Sequence, residues 1–190
     1  MTDMGALKHF LNVRVTWTRR FIQQDQSVYT LKVLDKFADF LGPPQKTKKS
    51  PLPSDASKRI ARAKGELLDD DRVYLDNFPY RSLLGALLYL SMNTRPDIAY
   101  AFGLQSRFGS KPSVQTCHLI VYLMQYVRGT VSCGIRFSGR MFDMHVFTDV
   151  DWAGDVLTRR STTGYVVLAA GGPLAWQSKL QTTVATSLGT

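Results

Sequence analysis

The sequence predicts an α+β chain: a β-hairpin and helix, then a small helical bundle, then an incomplete three-stranded antiparallel sheet. Three observations predict it. Apolar residues alternate with polar ones in runs near both ends, the period of a strand. In the middle third they recur every three or four residues, the period of a helix face. Pro, Gly, Asn and Ser clusters separate the runs, as turns and helix stops do.

The first alternating run is His9 to Trp17, with Phe10, Val13, Val15 and Trp17 apolar. A second extended run from Phe21 to Thr30 makes it a hairpin. From Leu31 to Leu41 the spacing turns helical, with Thr30 as the expected N-cap and Gly42-Pro43-Pro44 as the stop. Pro43 to Asn77 reads as a basic linker with one helical turn near Ile60. Three helices are expected from Phe78 to Gly129. The first carries Tyr80, Leu83, Leu84, Leu87, Leu88 and Ser91, and Asn93-Thr94-Arg95-Pro96 breaks it. The second carries Ile98, Ala101, Phe102, Gln105 and Phe108. The third carries Cys117, Ile120, Val121, Met124 and Val127. Met144–Asp151, Thr163–Ala170 and Leu174–Ser178 then read as a meander, with Gly171-Gly172 as its hairpin signal. Both sides of the middle strand are apolar, and no covering helix follows in the sequence, so exposed apolar surface is expected there.

The chain has 190 residues, 44% hydrophobic and 21% charged, ordinary for a globular protein. It lacks the run of about 18 apolar residues that a membrane helix needs, and Met1-Thr2-Asp3-Met4 carries no signal-peptide pattern. An intracellular protein, cytoplasmic or nuclear and without a membrane partner, is the expectation. Cys117 and Cys133 have no metal-ligand spacing and read as reduced thiols. The net charge of +9 favours a polyanionic partner, nucleic acid first. Much of it is local: Lys46, Lys48, Lys49, Lys58, Arg59, Arg62 and Lys64 lie between Gly42 and Gly65 against Asp55. That stretch reads equally as a solvated linker or a phosphate-contacting loop.

Two local features invite a chemical reading. In Met144–Asp151, alternation puts Asp149 and Asp151 on one side of a strand end. Asp is a poor strand former, so the pair is either a polar strand end or an oxygen site for a hard cation such as Mg²⁺. Gly85, in mid-helix, costs about 1 kcal/mol relative to Ala. It serves either a close helix crossing or a bare turn approaching a nucleic-acid groove, with Tyr89 one turn further on the same face.

Five ordered blocks carry a resemblance. They are Asp3 to Leu11; Tyr80-Arg81-Ser82-Leu83-Leu84-Gly85-Ala86-Leu87-Leu88-Tyr89-Leu90; Asn93-Thr94-Arg95-Pro96-Asp97-Ile98; Asp149-Val150-Asp151-Trp152-Ala153-Gly154-Asp155; and Arg159-Arg160-Ser161-Thr162-Thr163-Gly164-Tyr165. Together the chain resembles the pol polyprotein of copia-type LTR retrotransposons. The resemblance implies that residues 1–42 end a reverse-transcriptase palm, 43–77 form a basic linker, 78–130 form a helical thumb and connection, and 143–190 open an RNase H-like domain. It further implies that Gly85 and Tyr89 face the minor groove of the template–primer duplex; the charge run, separately, makes Lys46, Lys48 and Lys49 candidate contacts to an RNA–DNA hybrid or DNA duplex. Asp149 would be the first metal-binding carboxylate of the RNase H fold, with Asp151 beside it as a weaker metal candidate. In the intact family RNase H uses two Mg²⁺ ions.

The sequence also departs from that pattern. The polymerase Tyr-x-Asp-Asp loop lies upstream of Asp3 in the family, and Tyr74-Leu75-Asp76-Asn77 carries a single acid. The family's Ser-Ser-Thr-Glu-Ala-Glu run after the Val184-Ala185 position is replaced by Thr186-Ser187-Leu188-Gly189-Thr190. At the primer-contacting hairpin Leu11-Asn12 stands where the family has a glycine. The expectation is therefore a pol fragment with duplex-binding surface, without catalysis of its own and without tightly bound Mg²⁺, working with the remaining pol segments. The alternative is part of an active RNA-directed DNA polymerase and ribonuclease H once flanking segments are present.

Overall fold

The computed structural model describes residues 5–62, 69–139, 143–151 and 158–182. Strands β1 (His9–Phe10), β2 (Val13–Trp17), β3 (Ile22–Asp25) and β4 (Gly134–Phe137) form one antiparallel sheet in that order. Leu11 and Asn12 turn β1 into β2 with φ of 46° and 60°, a two-residue hairpin loop without glycine. The second strand ends earlier than its sequence suggests. Asp25 is fully buried, and its Oδ1 accepts the Ser27 N–H (3.0 Å) and hydroxyl (2.6 Å), while Oδ2 holds Arg14. This side-chain turn stops the strand and starts helix α1 (Ser27–Lys36) four residues before Leu31. Thr30 is accordingly buried inside the helix rather than capping it. β4 was not foreseen. It fits against β3 because Gly134 has no side chain: a Cβ there would collide with Gln24 O and lie 2.8 Å from Asp25 Cβ.

After α1 come the one-turn helix α2 (Ala38–Leu41), α3 (Ala56–Arg62) and α4 (Asp69–Asn77). The last two stand where one helical turn was expected. Ala56 and Ile60, one turn apart, bury against Leu104 and Leu119, a signal of two residues in a polar stretch. The three expected helices follow: α5 (Tyr80–Asn93), a 3₁₀ turn (Pro96–Ile98) leading into α6 (Ala99–Ser106), and α7 (Val114–Gly129). Ser113 and Thr116 cap α7 reciprocally. Leu83, Leu87 and Leu90 of α5 pack with Ile120, Leu123, Met124 and Val127 of α7, and α1 adds Val33, Leu34 and Phe37. The apolar face of α5 is rotated from the expected stripe: Leu90 is buried and Leu88 is 41% exposed.

The second sheet is the expected meander, β5 (Met144–Asp151), β6 (Thr162–Ala169) and β7 (Gly172–Leu180), in the order β5-β6-β7. Its β6–β7 loop is Ala170-Gly171, with φ of 51° and 76°, one residue earlier than Gly171-Gly172. The sheet has a covering helix after all, borrowed from the bundle. Trp176 Nε1 donates to Ser91 O (2.7 Å), and Arg107 Nη2 to Thr162 Oγ1 (3.4 Å). At Gly103 an added Cβ would lie 3.4 Å from Ser178 O, so a larger residue would crowd β7. The Ser138 and Gly139 N–H groups both donate to Ala170 O. The cover stops short of β5, every residue of which is exposed.

Candidate nucleic-acid interface and edge carboxylates

Cross-strand register decides which way the acids face. Asp149 pairs with Gly164 and Asp151 with Thr162 on β6, and Gly164 pairs in turn with Ser178 on β7. Directly opposed residues share a face. Phe147, Val166 and Trp176 form the neighbouring row of that face, and Trp176 reaches toward Ser91. The acids therefore lie on the helix-facing side of the sheet, at its uncovered edge. Asp149 lines a groove of about 440 Å³ with Tyr100, Phe147, Gly164 and Trp176. Its Oδ1 accepts the N–H of Val150 (2.9 Å). His145 Nε2 lies 2.9 Å from Asp143 Oδ1. Among the described residues no three His, Cys, Asp or Glu side chains converge as a metal cluster. The Trp152–Asp155 part of this block and Thr186–Thr190 lie outside the described residues, as does Asp3-Met4.

The Gly85 position is resolved in favour of open surface. A Cβ there would meet nothing within 4 Å, so no helix crossing requires the glycine. Tyr89 on the same side is committed to packing. Its ring meets Tyr29 edge-on at 5.0 Å, and its hydroxyl donates to the Leu11 carbonyl at the β1–β2 tip. The tyrosine thus ties the hairpin to α5.

Lys46, Lys48 and Lys49 lie elsewhere, on a loop strapped along α7. Arg128 donates to the Gly42 carbonyl (3.1 Å) and to that of Lys46. The Lys48 N–H donates to Gln125 O (3.4 Å), and its ammonium stands 4.8 Å from the Tyr122 ring centre. Lys46 and Lys49 are exposed. The structure joins Gly85 to Tyr89, Asp149 to Asp151, and the lysines to one another, but leaves the three groups on different elements.

Sequence reasoning read Asn93-Thr94-Arg95-Pro96-Asp97 as a helix break and missed a buried clamp. Arg95 is 2% exposed. It forks onto both Asp97 oxygens (2.9 and 2.8 Å) and donates to Thr130 O (3.1 Å) and Oγ1 (2.7 Å). Tyr126 donates to Asp97 Oδ2 (2.8 Å), and Thr94 to Gln26 Oε1 (2.8 Å). Burial disfavours the charged Asp97, but the hydrogen bonds and charge of Arg95 outweigh it and hold the carboxyl below its ordinary range. The clamp fastens the α5–α6 corner to the start of α1 and the end of α7. An arginine and an aspartate flanking one proline were its only trace in the sequence.

The fold and the site define an α+β protein of a small sheet, a helical bundle and an acid-edged meander. The sequence comparisons place it. It is 32% identical over 189 residues to the "Retrovirus-related Pol polyprotein from transposon TNT 1-94" of Nicotiana tabacum, covering 98% of this chain and 14% of that protein. An uncharacterised mitochondrial protein of Arabidopsis thaliana is 30% identical over 188 residues, 98% of this chain and 73% of the relative. A secreted RxLR effector protein of Plasmopara viticola is 41% identical over 114 residues, 60% of this chain and 80% of the relative. No family model and no solved structure matches. The chain belongs to the retrovirus-related Pol polyprotein family of transposons, and it spans 14% of the length of the tobacco polyprotein. No helix among the described residues is long and apolar enough to cross a membrane.

Proposed function

We propose that this chain is a copia-type pol segment that holds nucleic-acid duplex, RNA–DNA hybrid or DNA, and neither copies nor cuts it by itself. The donor set carries the reading. Asp149 and Asp151 come from one strand, one Asp149 oxygen is taken by the Val150 N–H, and no third ligand joins them among the described residues. A two-ion Mg²⁺ centre needs oxygen donors converging from separate elements. The described residues do not fit it. Duplex holding is supported by the bare, exposed turn at Gly85, the exposed Lys46 and Lys49, and the net charge of +9. The location that goes with this reading is intracellular, cytoplasmic or nuclear.

Fluorescence anisotropy with a labelled RNA–DNA hybrid tests the reading. Weak binding that falls steeply with salt is expected. No binding at about 50 mM salt refutes duplex holding. Turnover of the hybrid by the 190-residue chain, lost in Asp149→Asn, refutes inactivity. The coverage of 14% of the tobacco polyprotein favours a second reading. In it the segment is part of an active RNA-directed DNA polymerase and ribonuclease H, with other pol segments supplying the missing acids. A Tyr-x-Asp-Asp block upstream and a Glu-bearing helix downstream in the flanking DNA would select it.

A further inference from the structure

Three arginines meet at one end of the first sheet, and Arg136 lies more than a hundred residues from the other two, Arg19 and Arg20. Register puts Thr16, Gln23 and Arg136 in one cross-strand row of β2, β3 and β4. Opposed residues share a face. Thr16 and Arg136 are exposed, whereas Val15 and Ile135 in the alternate row are buried, so the arginine lies on the outer side of the sheet. Arg19 and Arg20 are exposed in the turn of residues 18–21 that joins β2 to β3, at the end of the sheet next to that row.

Both the turn and the distant arginine are held in place. The Thr18 N–H and hydroxyl donate to Phe21 O (3.0 and 2.9 Å), and the hydroxyl oxygen accepts the N–H groups of Arg20 (3.2 Å) and Phe21 (2.9 Å). The turn is therefore closed by its own side chain. The Arg136 guanidinium stands 4.2 Å from the Phe21 ring centre, and its Nη2 donates to Gln23 Oε1 (3.0 Å). A guanidinium fixed against a ring loses less freedom on binding and still offers its remaining donors. Among the described residues no carboxylate pairs with Arg19, Arg20 or Arg136, whereas Asp25 neutralises Arg14 at 3.0 Å.

We infer that Arg19, Arg20 and Arg136 form one contact for the sugar–phosphate backbone of a duplex, an assignment that rests on the duplex-holding reading. Guanidinium groups meet phosphate oxygens through paired N–H donors, and three uncompensated cations displace as many condensed counterions. A duplex strand presents a charge about every 3.4 Å at fixed spacing, which a rigid cluster meets as it stands. A flexible acidic polypeptide would have to be ordered first. β2 is five residues long, so the contact is about 17 Å from the Leu11-Asn12 tip at its other end. It is thus separate from the tip that Tyr89 ties to α5.

Fluorescence anisotropy of the whole chain with a labelled RNA–DNA hybrid, from about 50 to 200 mM salt, tests it, with circular dichroism confirming that each variant is folded. Arg19→Ala/Arg20→Ala should lower the slope of log affinity against log salt by about two, and adding Arg136→Ala should lower it by about three. Arg136→Lys keeps the charge without the fork, so the slope should hold while binding weakens about threefold. Lys32→Ala/Lys111→Ala removes two charges from exposed sites elsewhere and should leave the slope within about half a unit of the parent. A parent that binds hybrid with a slope the arginine variants do not change overturns the contact and leaves the duplex-holding reading standing. An equal loss of slope in the lysine control overturns it too, because net charge alone then accounts for binding. Polyglutamate that displaces the hybrid as well as unlabelled hybrid does, at equal charge, assigns the cluster to acidic polypeptide and overturns it. A parent that binds no hybrid at about 50 mM salt overturns this contact and the duplex-holding reading together.

Discussion

Replacing Asp97 with asparagine should destabilise the fold by about 2–3 kcal/mol. Arg95 is 2% exposed, and among the described residues its counter-charge is Asp97, bound through both oxygens at 2.9 and 2.8 Å. Removing one member of a buried ion pair costs about 3–5 kcal/mol, because the other charge stays buried without compensation. The Asp97 side chain is 35% exposed, so water screens part of that loss, and asparagine keeps one acceptor oxygen. The low end of the range follows. For a chain of this size each kcal/mol moves the melting temperature by about 2–4 °C, so a drop of roughly 5–10 °C at pH 7 is expected by circular dichroism. The pH dependence gives a second readout. Burial raises the Asp97 pKa, but Arg95 and the Tyr126 hydroxyl outweigh it and hold the folded carboxyl below its ordinary value. A depressed carboxylate contributes its stability in full above the unfolded pKa, near 4, and loses it as pH falls through the folded value. The variant should therefore lose less stability than the parent on acidification below about pH 4. Some loss remains, because Asp25 is also depressed: Ser27 and Arg14 overcome the cost of its burial. A variant within about 0.5 kcal/mol of the parent, with the same acid response, would refute the clamp.

The hairpin tip should respond to relief of its backbone. Leu11 has φ of 46°, a region costing a non-glycine residue about 1–2 kcal/mol, so Leu11→Gly should raise the melting temperature by a few degrees even after its unfolded-state entropy is counted. Gly134→Ala drives a Cβ into Gln24 O and should detach β4, costing about 3 kcal/mol or more in denaturant unfolding. Gly85→Ala meets open space and should stabilise α5 by about 0.5–1 kcal/mol. If the bare turn faces duplex, the same variant should bind hybrid more weakly, and unchanged affinity would remove Gly85 from the interface. Lys46→Ala/Lys49→Ala should lower the salt slope of hybrid binding by about two, one for each phosphate that is no longer neutralised.

The elements most legible in the sequence were those whose signal is local and repeated. α7 repeats its apolar step over four turns, and β5 alternates along its whole length, so both were placed within a residue or two. β4, the full length of α3 and the start of α1 were not legible, each for a non-local or side-chain reason. β4 exists because Gly134 lets its backbone close onto β3, more than a hundred residues earlier. α3 is held by Ala56 and Ile60 with Ser57, Lys58 and Arg59 between them, so only the turn near Ile60 stood out. α1 starts early because the Asp25 side chain captures the Ser27 backbone, which outweighs the strand-like composition after it. At the candidate site the sequence could say that Asp149 and Asp151 share a face. It could not say that this face turns toward α6, which depends on Trp176, Gly103 and Arg107 meeting across the bundle.

The same packing bears on what the acids can do. A duplex approaching Asp149 from the helix-facing side meets Tyr100 and the 3₁₀ turn across a groove of about 440 Å³, and the groove wall carries a second carboxylate, Asp97, already committed to Arg95. With Asp97 neutralised by Arg95, Asp149 is the carboxylate of that groove that repels a phosphate backbone. Cations stand at the meander as well as on the loop over α7: Arg107 Nη2 donates to Thr162 Oγ1, and Thr162 is the cross-strand partner of Asp151. The charge at that end of the meander is therefore mixed rather than purely acidic.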